Sequence, residues 1–210
     1  MFLVSCSQNE PTTPTITKSE SKESPKTFTI LALGDSLTEG LGVKQEDNYP
    51  SILAKNLPSN IEVINAGLSG ETTNGLKNRL SWVLKQKPDL TILNIGANDA
   101  MRGLPLELTR NNIDEIITTI KQADSDVILA GMQIYNNLGK EYVEGFSGIY
   151  PELAKKHKTP LIPFFLADVA GDPKLNQNDM IHPNFEGYKI IVKNNILPTV
   201  NQYLKQKNYE

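Results

Sequence analysis

The sequence predicts one α/β domain in which a parallel β-sheet lies between two layers of helices. Short apolar runs alternate five times with amphipathic stretches of helical length. Parallel strands need crossover connections, and because these are right-handed they place helices on both faces of the sheet. The length of 210 residues suits one domain with a tail and excludes two full-sized domains. The expected architecture is a three-layer α/β/α sandwich.

Five short apolar runs predict the buried strands of this sheet. They cover residues 28–33, 61–65, 90–95, 127–130 and 161–164. Amphipathic stretches predict helices at residues 49–57, 73–86, 106–123, 146–156 and 184–197. Pro183 is expected in the first turn of the last helix, where its missing N–H costs nothing, and Pro198 is expected to stop or kink that helix.

The first 26 residues differ in composition from the rest of the chain. Residues 5–26 are mostly polar, with Ile16 as their only bulky apolar residue, so residues 1–26 are predicted to form a disordered tether before the domain at 27–205. Leu3-Val4-Ser5-Cys6 resembles the lipobox of bacterial lipoproteins, which makes Cys6 a lipidation candidate and membrane tether. An upstream signal would imply the bacterial cell envelope; without one the protein would be cytoplasmic, with Cys6 incidental.

Composition excludes several classes of function. The net charge of −3 provides no basic field for nucleic acid. One cysteine and two histidines cannot form an internal disulfide or a Cys/His zinc site. No structural metal or cofactor is expected, and the sequence indicates no protein partner.

A serine lies where the first predicted strand ends, in Gly34-Asp35-Ser36-Leu37. The spacing of Gly40 and Gly42 matches neither a dinucleotide-binding nor a P-loop motif, which argues against a phosphate or flavin site. A serine nucleophile needs a base. Two histidines are available, and His157 lies in a basic run typical of a solvated surface residue.

The second histidine, His182, follows the last predicted strand and has Asp179 three residues before it. On a tight turn Asp179 can accept the Nδ1–H of His182, which leaves Nε2 free to accept the serine proton. The N–H of Gly70, the side-chain amide of Asn98 and the N–H of Ser36 are candidate donors to an oxyanion.

Other polar and aromatic residues receive structural interpretations. Asp99 is expected to bond within its own loop, and Glu39 and Glu71 to be solvated or to act as local caps. Trp82, in a predicted helix, is expected to pack in the core or in a groove.

The motifs Gly34-Asp35-Ser36-Leu37, Gly70, Gly96-x-Asn98-Asp99 and Asp179-x-x-His182 resemble, in order and position, those of the GDSL (SGNH) hydrolases. Segments 96–103, 146–154 and 163–165 resemble the bacterial multifunctional thioesterase, lysophospholipase and arylesterase branch. The resemblance implies a flavodoxin-like sheet of order 2-1-3-4-5. It also implies Ser36 as nucleophile, His182 as base, Asp179 as orienting acid, and oxyanion donors at Ser36, Gly70 and Asn98.

The expected substrate is a small acyl ester or thioester, hydrolysed through an acyl-enzyme on Ser36. Six residues near the serine are candidates for an apolar groove that binds acyl chains of medium length or longer: Met101, Leu104, Ile134, Tyr135, Met180 and Ile181. Two alternatives remain open at this point, a carbohydrate or cell-wall O-acetylesterase and a non-catalytic, lipid-tethered binding module.

Overall fold

A five-stranded parallel sheet forms the centre of the computed structural model, which describes residues 1–2, 27–135 and 137–209. The strands are β1 (Phe28–Gly34), β2 (Ile61–Gly67), β3 (Leu90–Asn94), β4 (Asp126–Ala130) and β5 (Leu161–Ile162). They lie in the order 2-1-3-4-5, and every adjacent pair is parallel. The predicted fold class and strand order are confirmed. Cys6 and nearly all of the predicted tether lie outside the described residues.

Eight α-helices surround the sheet in the described part of the chain. They are α1 (Ser36–Glu39), α2 (Tyr49–Lys55), α3 (Thr73–Val83), α4 (Ala97–Met101), α5 (Leu106–Gln122), α6 (Lys140–His157), α7 (Phe185–Ile190) and α8 (Leu197–Gln206). Short 3₁₀ turns cover Gln45–Asp47 and Leu84–Gln86, and a π-helical segment, Ile191–Ile196, joins α7 to α8. Helix α5 packs between α3 and α6, while α2 packs with α7 and the π-helical segment on the opposite face.

The central strands form the core of the domain because helices cover both of their faces. Every residue of β3 is buried, as are nearly all residues of β1 and β4. Burial of each large aliphatic side chain contributes about 1.5–3 kcal/mol relative to its exposure to water. The sheet is therefore a rigid base from which the loops at its carboxyl ends are held. None of the helices described is long and apolar enough to cross a bilayer.

Several element boundaries differ from the prediction. Strand β5 ends at Ile162, since Pro163 has no N–H with which to continue the ladder. Helix α6 begins at Lys140, six residues earlier than predicted, and Tyr142 in its first turn donates to the carbonyl of Leu104 at 2.6 Å.

The last helix also differs from the prediction at both of its prolines. Its N-cap is Asn184, whose side chain accepts the N–H of Gly187 at 3.1 Å, so Pro183 precedes the helix. Pro198 does not stop the helix: it lies in the first turn of α8, directly after the π-helical segment, and the chain remains helical to Gln206.

Candidate active site

Ser36 is the first residue of α1, directly beyond the carboxyl end of β1. Asp35 is the N-cap, and its Oδ1 accepts the N–H of Leu37 at 3.0 Å. Gly34 permits this arrangement because a Cβ at that position would lie 2.1 Å from the carbonyl oxygen of Asn94. Ser36 is only 6% exposed, so its hydroxyl lies in the crevice between the ends of β1 and β3.

His182 lies between Ser36 and Asp179. Its Nε2 is 2.8 Å from Oγ of Ser36, and its Nδ1 is 2.7 Å from Oδ2 of Asp179. The second carboxylate oxygen of Asp179 accepts the backbone N–H groups of Ile181 at 2.9 Å and His182 at 3.0 Å. The structure thus brings the three residues into one hydrogen-bonded line. With Nδ1–H donated to the carboxylate, Nε2 can accept the proton of the serine hydroxyl.

The carboxyl group of Asp179 is stabilised in its charged form. Partial burial disfavours the charge, but the hydrogen bonds from the backbone and ring of His182 and from the N–H of Ile181 outweigh it and lower the pKa of Asp179 to about 2. The group therefore stays ionised throughout the neutral range. A fixed negative charge beside Nδ1 favours the imidazolium that forms when His182 takes a proton.

Gln177 connects the turn that carries Asp179 and His182 to the segment after Ser36. Its backbone N–H donates to the carbonyl of His182 at 2.8 Å, and its carbonyl accepts the N–H of Met180 at 2.9 Å. Its side-chain amide donates to the carbonyls of Leu41 at 2.7 Å and Pro183 at 3.0 Å. Sequence reasoning missed Gln177, since only the folded chain brings Leu41 beside it.

The candidate donors for a developing negative charge lie in the segments that follow β1, β2 and β3. Asn98 lies in the first turn of α4, and its Nδ2 is 3.5 Å from Oδ2 of Asp35. The N-cap of α4 is Gly96, which has φ 114°, and a Cβ at this position would lie 2.7 Å from Oη of Tyr150. Within the described ranges, the backbone N–H groups of Ser36 and Gly70 have no acceptor. They are therefore available to a bound oxyanion.

The loops that carry Gly70 and Asn98 are tied to each other. Arg102, which follows α4, donates from Nη2 to the carbonyl of Gly70 at 2.8 Å. This bond ties the loop that carries Gly70 to the end of α4.

Asp35 is a buried carboxyl group next to Ser36. Burial raises its pKa from 3.8 to about 7, opposed by the hydrogen bond from the N–H of Leu37. The unfolded chain ionises Asp35 near pH 4, whereas the folded protein ionises it only near pH 7. The contribution of Asp35 to the free energy of unfolding is therefore highest below pH 4 and is lost as the pH rises to 7. The loss is on the order of 4 kcal/mol for a shift of this size.

We therefore expect Asp35→Asn, which keeps an oxygen for the Leu37 N–H, to abolish this pH dependence. Urea unfolding at pH values from 4 to 8 measures it: relative to the variant, the wild type should lose stability with rising pH. Parallel profiles for the two proteins would show that Asp35 does not titrate in this range.

Three polar residues have environments that differ from those predicted from the sequence. Asp99 bonds outside its loop, accepting the backbone N–H of Thr73 at 2.8 Å and its hydroxyl at 2.6 Å, so it holds the start of α3. Glu71 is buried and paired with Arg79, which neutralises its charge inside the domain. His157 is largely buried, with Nε2 at 2.6 Å from Oδ1 of Asp114, because the end of α6 packs on α5.

Glu39 and Trp82 both lie on the surface of the domain. Glu39 is exposed, in line with the solvated interpretation, and it accepts the N–H of Ser69, 30 positions along the chain, at 2.7 Å. The predicted packing of Trp82 in the core or a groove is wrong, since its side chain is 65% exposed. The buried face of α3 is formed by Leu76, Leu80 and Val83 instead.

A cavity of about 360 Å³ opens beside Ser36 and Asn98. Five predicted groove residues line it, namely Met101, Ile134, Tyr135, Met180 and Ile181. Leu104 is not among its lining residues, since the chain turns toward α6 after α4 and the carbonyl of Leu104 accepts the hydroxyl of Tyr142. Sequence reasoning missed the deeper apolar lining, which includes Met132, Leu138, Phe164, Leu166 and Ala170. Most of these follow the ends of β4 and β5, where ligands bind in such sheets.

Comparison with known proteins identifies the family. Residues 32–190 match the model of the GDSL-like Lipase/Acylhydrolase family. The chain belongs to this family.

Curated relatives of this GDSL chain are hydrolases by name. It is 36% identical over 164 residues to the Thioesterase 1/protease 1/lysophospholipase L1 of Escherichia coli K12, covering 78% of this chain and 79% of that protein. It is 38% identical over 162 residues to the Arylesterase of Vibrio mimicus, covering 75% of this chain and 80% of that protein.

A solved structure of the family has the same fold. The psychrotrophic esterase EstA from Pseudoalteromonas superposes with a TM-score of 0.79 at 30% identity, covering 84% of this chain and 98% of that one. The protein is therefore an ester hydrolase of the GDSL family, acting on small-molecule ester substrates.

Proposed function

We propose that the protein hydrolyses carboxylic esters and thioesters through an acyl-enzyme formed on Ser36. The observation that carries the proposal is the hydrogen-bonded line of Ser36, His182 and Asp179, with contacts of 2.8 Å and 2.7 Å. Such a line supplies a nucleophile, a base and a group that orients the base.

In the acylation step, Oγ of Ser36 attacks the carbonyl carbon while its proton passes to Nε2 of His182. The carbonyl oxygen becomes an oxyanion, which the N–H groups of Ser36 and Gly70 and the amide of Asn98 stabilise. The tetrahedral intermediate collapses, and His182 returns the proton to the departing alkoxide or thiolate. The products of this step are the acyl-enzyme and a free alcohol or thiol.

In the deacylation step, water takes the place of the leaving group. His182 accepts a proton from the water as its oxygen attacks the acyl carbon, and the same oxyanion donors act again. The second intermediate releases the carboxylic acid, and the proton on His182 returns to Ser36. The ionised carboxylate of Asp179 stabilises the imidazolium in both steps.

The substrate we propose has an acyl chain of medium length or longer. The cavity beside Ser36 is lined mainly by apolar side chains, and each buried methylene stabilises a bound chain by about 0.8 kcal/mol. Met101, Met132 and Met180 lie in the lining, and their flexible side chains adapt to chains of different length. The names of the relatives, a thioesterase and lysophospholipase and an arylesterase, support this class.

Hydrolysis of p-nitrophenyl esters from acetyl to palmitoyl, with a chelator present, tests the proposal. We expect kcat/KM to rise with acyl length to a maximum at medium or long chains, because the cavity buries added methylenes. A p-nitrophenyl phosphonate should form a bond from phosphorus to Oγ of Ser36 and release p-nitrophenolate, so that the wild type gains the mass of the phosphonyl group and Ser36→Ala stays unlabelled. Activity confined to acetyl esters would favour an O-acetylesterase, and equal rates for the two proteins would contradict catalysis by Ser36.

A further inference from the structure

The end of the domain opposite the catalytic cleft is rich in lysine. Helices α3, α6 and α8 end there, because each runs antiparallel to the strands and its last turn lies near the strand starts. The last helix shows the placement directly: the ring of Tyr209 lies 4.4 Å from that of Phe28, the first residue of β1. Lys207 Nζ lies 2.8 Å from Oδ2 of Asp126, the first residue of β4.

Five exposed lysines at this end form no ion pair with the described part of the chain. They follow or end these helices and are Lys85, Lys87, Lys155, Lys158 and Lys205. We call these lysines, together with Trp82, the basic end. None of the five side chains packs in the core, so the stability of the fold does not require them.

Trp82 adds a second, independent feature to the basic end. It lies in the last turn of α3, three residues before Lys85, and is 65% exposed. A large indole ring that contributes little to the core is typical of a side chain that sits among lipid headgroups, with its apolar ring toward the acyl chains. Lysine stems around it can lie along apolar surface while their charges remain in water.

Exposed carboxylates lie at the opposite end of the molecule. Exposed carboxylates surround the cleft on α1, on the 3₁₀ turn after it and at the starts of α5 and α6, at Glu39, Glu46, Glu107 and Glu141. A negatively charged surface would therefore attract the basic end and repel the catalytic end. The net charge of −3 conceals this separation, which appears only when the chain is folded.

The chain itself enters the domain at the basic end. Residue 27 leads into Phe28 at the start of β1, so the preceding segment, which contains Cys6, joins the domain on this side. Any anchor on that segment would hold the basic end, rather than the cleft, toward the surface that the anchor enters.

We propose that the basic end docks on an anionic lipid bilayer, with Trp82 among the headgroups and the catalytic cleft facing away from the membrane. In this orientation the cleft receives substrate from the aqueous side. Each lysine near such a surface strengthens binding about fivefold, and salt screens the attraction.

Trp82 is the only tryptophan in the chain, so its fluorescence reports directly on the proposed contact. The full chain is mixed with phosphatidylcholine vesicles that either contain or lack phosphatidylglycerol. We expect the emission to shift to shorter wavelength and acrylamide quenching to fall with the anionic vesicles alone, and added salt to reverse both changes. The Ser36→Ala variant should behave as the wild type does, which separates docking from catalysis.

Charge reversal at each end provides a matched pair of variants. Lys85→Glu with Lys155→Glu should weaken vesicle binding at least 25-fold, the effect of removing two lysines of about fivefold each. Lys44→Glu with Lys174→Glu, at the catalytic end, makes the same change in net charge and should bind as tightly as the wild type. Both double variants should retain wild-type activity on a soluble ester, which shows that they are folded.

Two results would overturn the proposal. One is an unchanged Trp82 emission with anionic vesicles; if the protein still co-sediments with them, another surface, such as the apolar rim of the cleft, makes the contact. The other is equal vesicle binding by the two double variants.

Discussion

Replacing His182 with alanine should lower kcat by several orders of magnitude, on the order of 10⁴- to 10⁶-fold, and leave the fold intact. Nε2 of His182 is 2.8 Å from Oγ of Ser36, and no other imidazole lies in the cleft. Without it the hydroxyl keeps its proton and the leaving group receives none. Ser36→Ala should cause a similar loss, because the two residues act in the same step. The measurement is kcat on a p-nitrophenyl ester of medium chain length.

The second histidine of the chain provides the matched control. His157 is bonded to Asp114 on α5, outside the cavity beside Ser36, so His157→Ala should keep wild-type kcat. The Ser36→Ala, His182→Ala double variant should be no slower than either single variant, since each alone already disables proton transfer and attack. A fully additive loss in the double variant would show that Ser36 and His182 act in separate steps.

Replacing Asn98 with alanine should lower kcat about 100- to 1000-fold while KM changes little. Asn98 lies in the first turn of α4 and lines the cavity beside Ser36, where the carbonyl oxygen of a bound ester would gain charge in the proposed transition state. The bond to the substrate strengthens only as that charge develops, so its loss affects the rate more than binding. Separate determination of kcat and KM on one ester distinguishes the two effects.

An exposed asparagine elsewhere serves as the control for this substitution. Asn78 lies on the outer side of α3, and Asn78→Ala should leave both constants unchanged. If Asn98→Ala raised KM and kept kcat, the amide would bind the substrate equally in ground and transition states, and its assignment as an oxyanion donor would be wrong.

Most of the fold was predictable because its signals are local. Five apolar runs identified the strands to within a few residues, and the alternation with helices predicted the parallel sheet. The predictions that failed depended on neighbours distant in the chain. Trp82 is exposed because other residues form the packed face of α3, and the side chain of His157 is 12% exposed because α6 packs on α5. Hydrophobicity and charge alone do not specify which partner covers a side chain.

The sequence by itself determined which residues stand at the carboxyl ends of the strands and the short turn that joins Asp179 to His182, since both depend on local spacing. Only the tertiary structure decided that Nε2 of His182 lies 2.8 Å from a serine 146 positions earlier, and that Gln177 donates to the carbonyl of Leu41 across 136 positions. It also brought Lys85 and Lys155 to one end of the sheet and Glu39 and Glu141 to the other, a grouping that the composition does not show. The physical reason is that hydrogen bonds and charge interactions depend on distance in space, which the buried parallel sheet sets by bringing the ends of distant strands together.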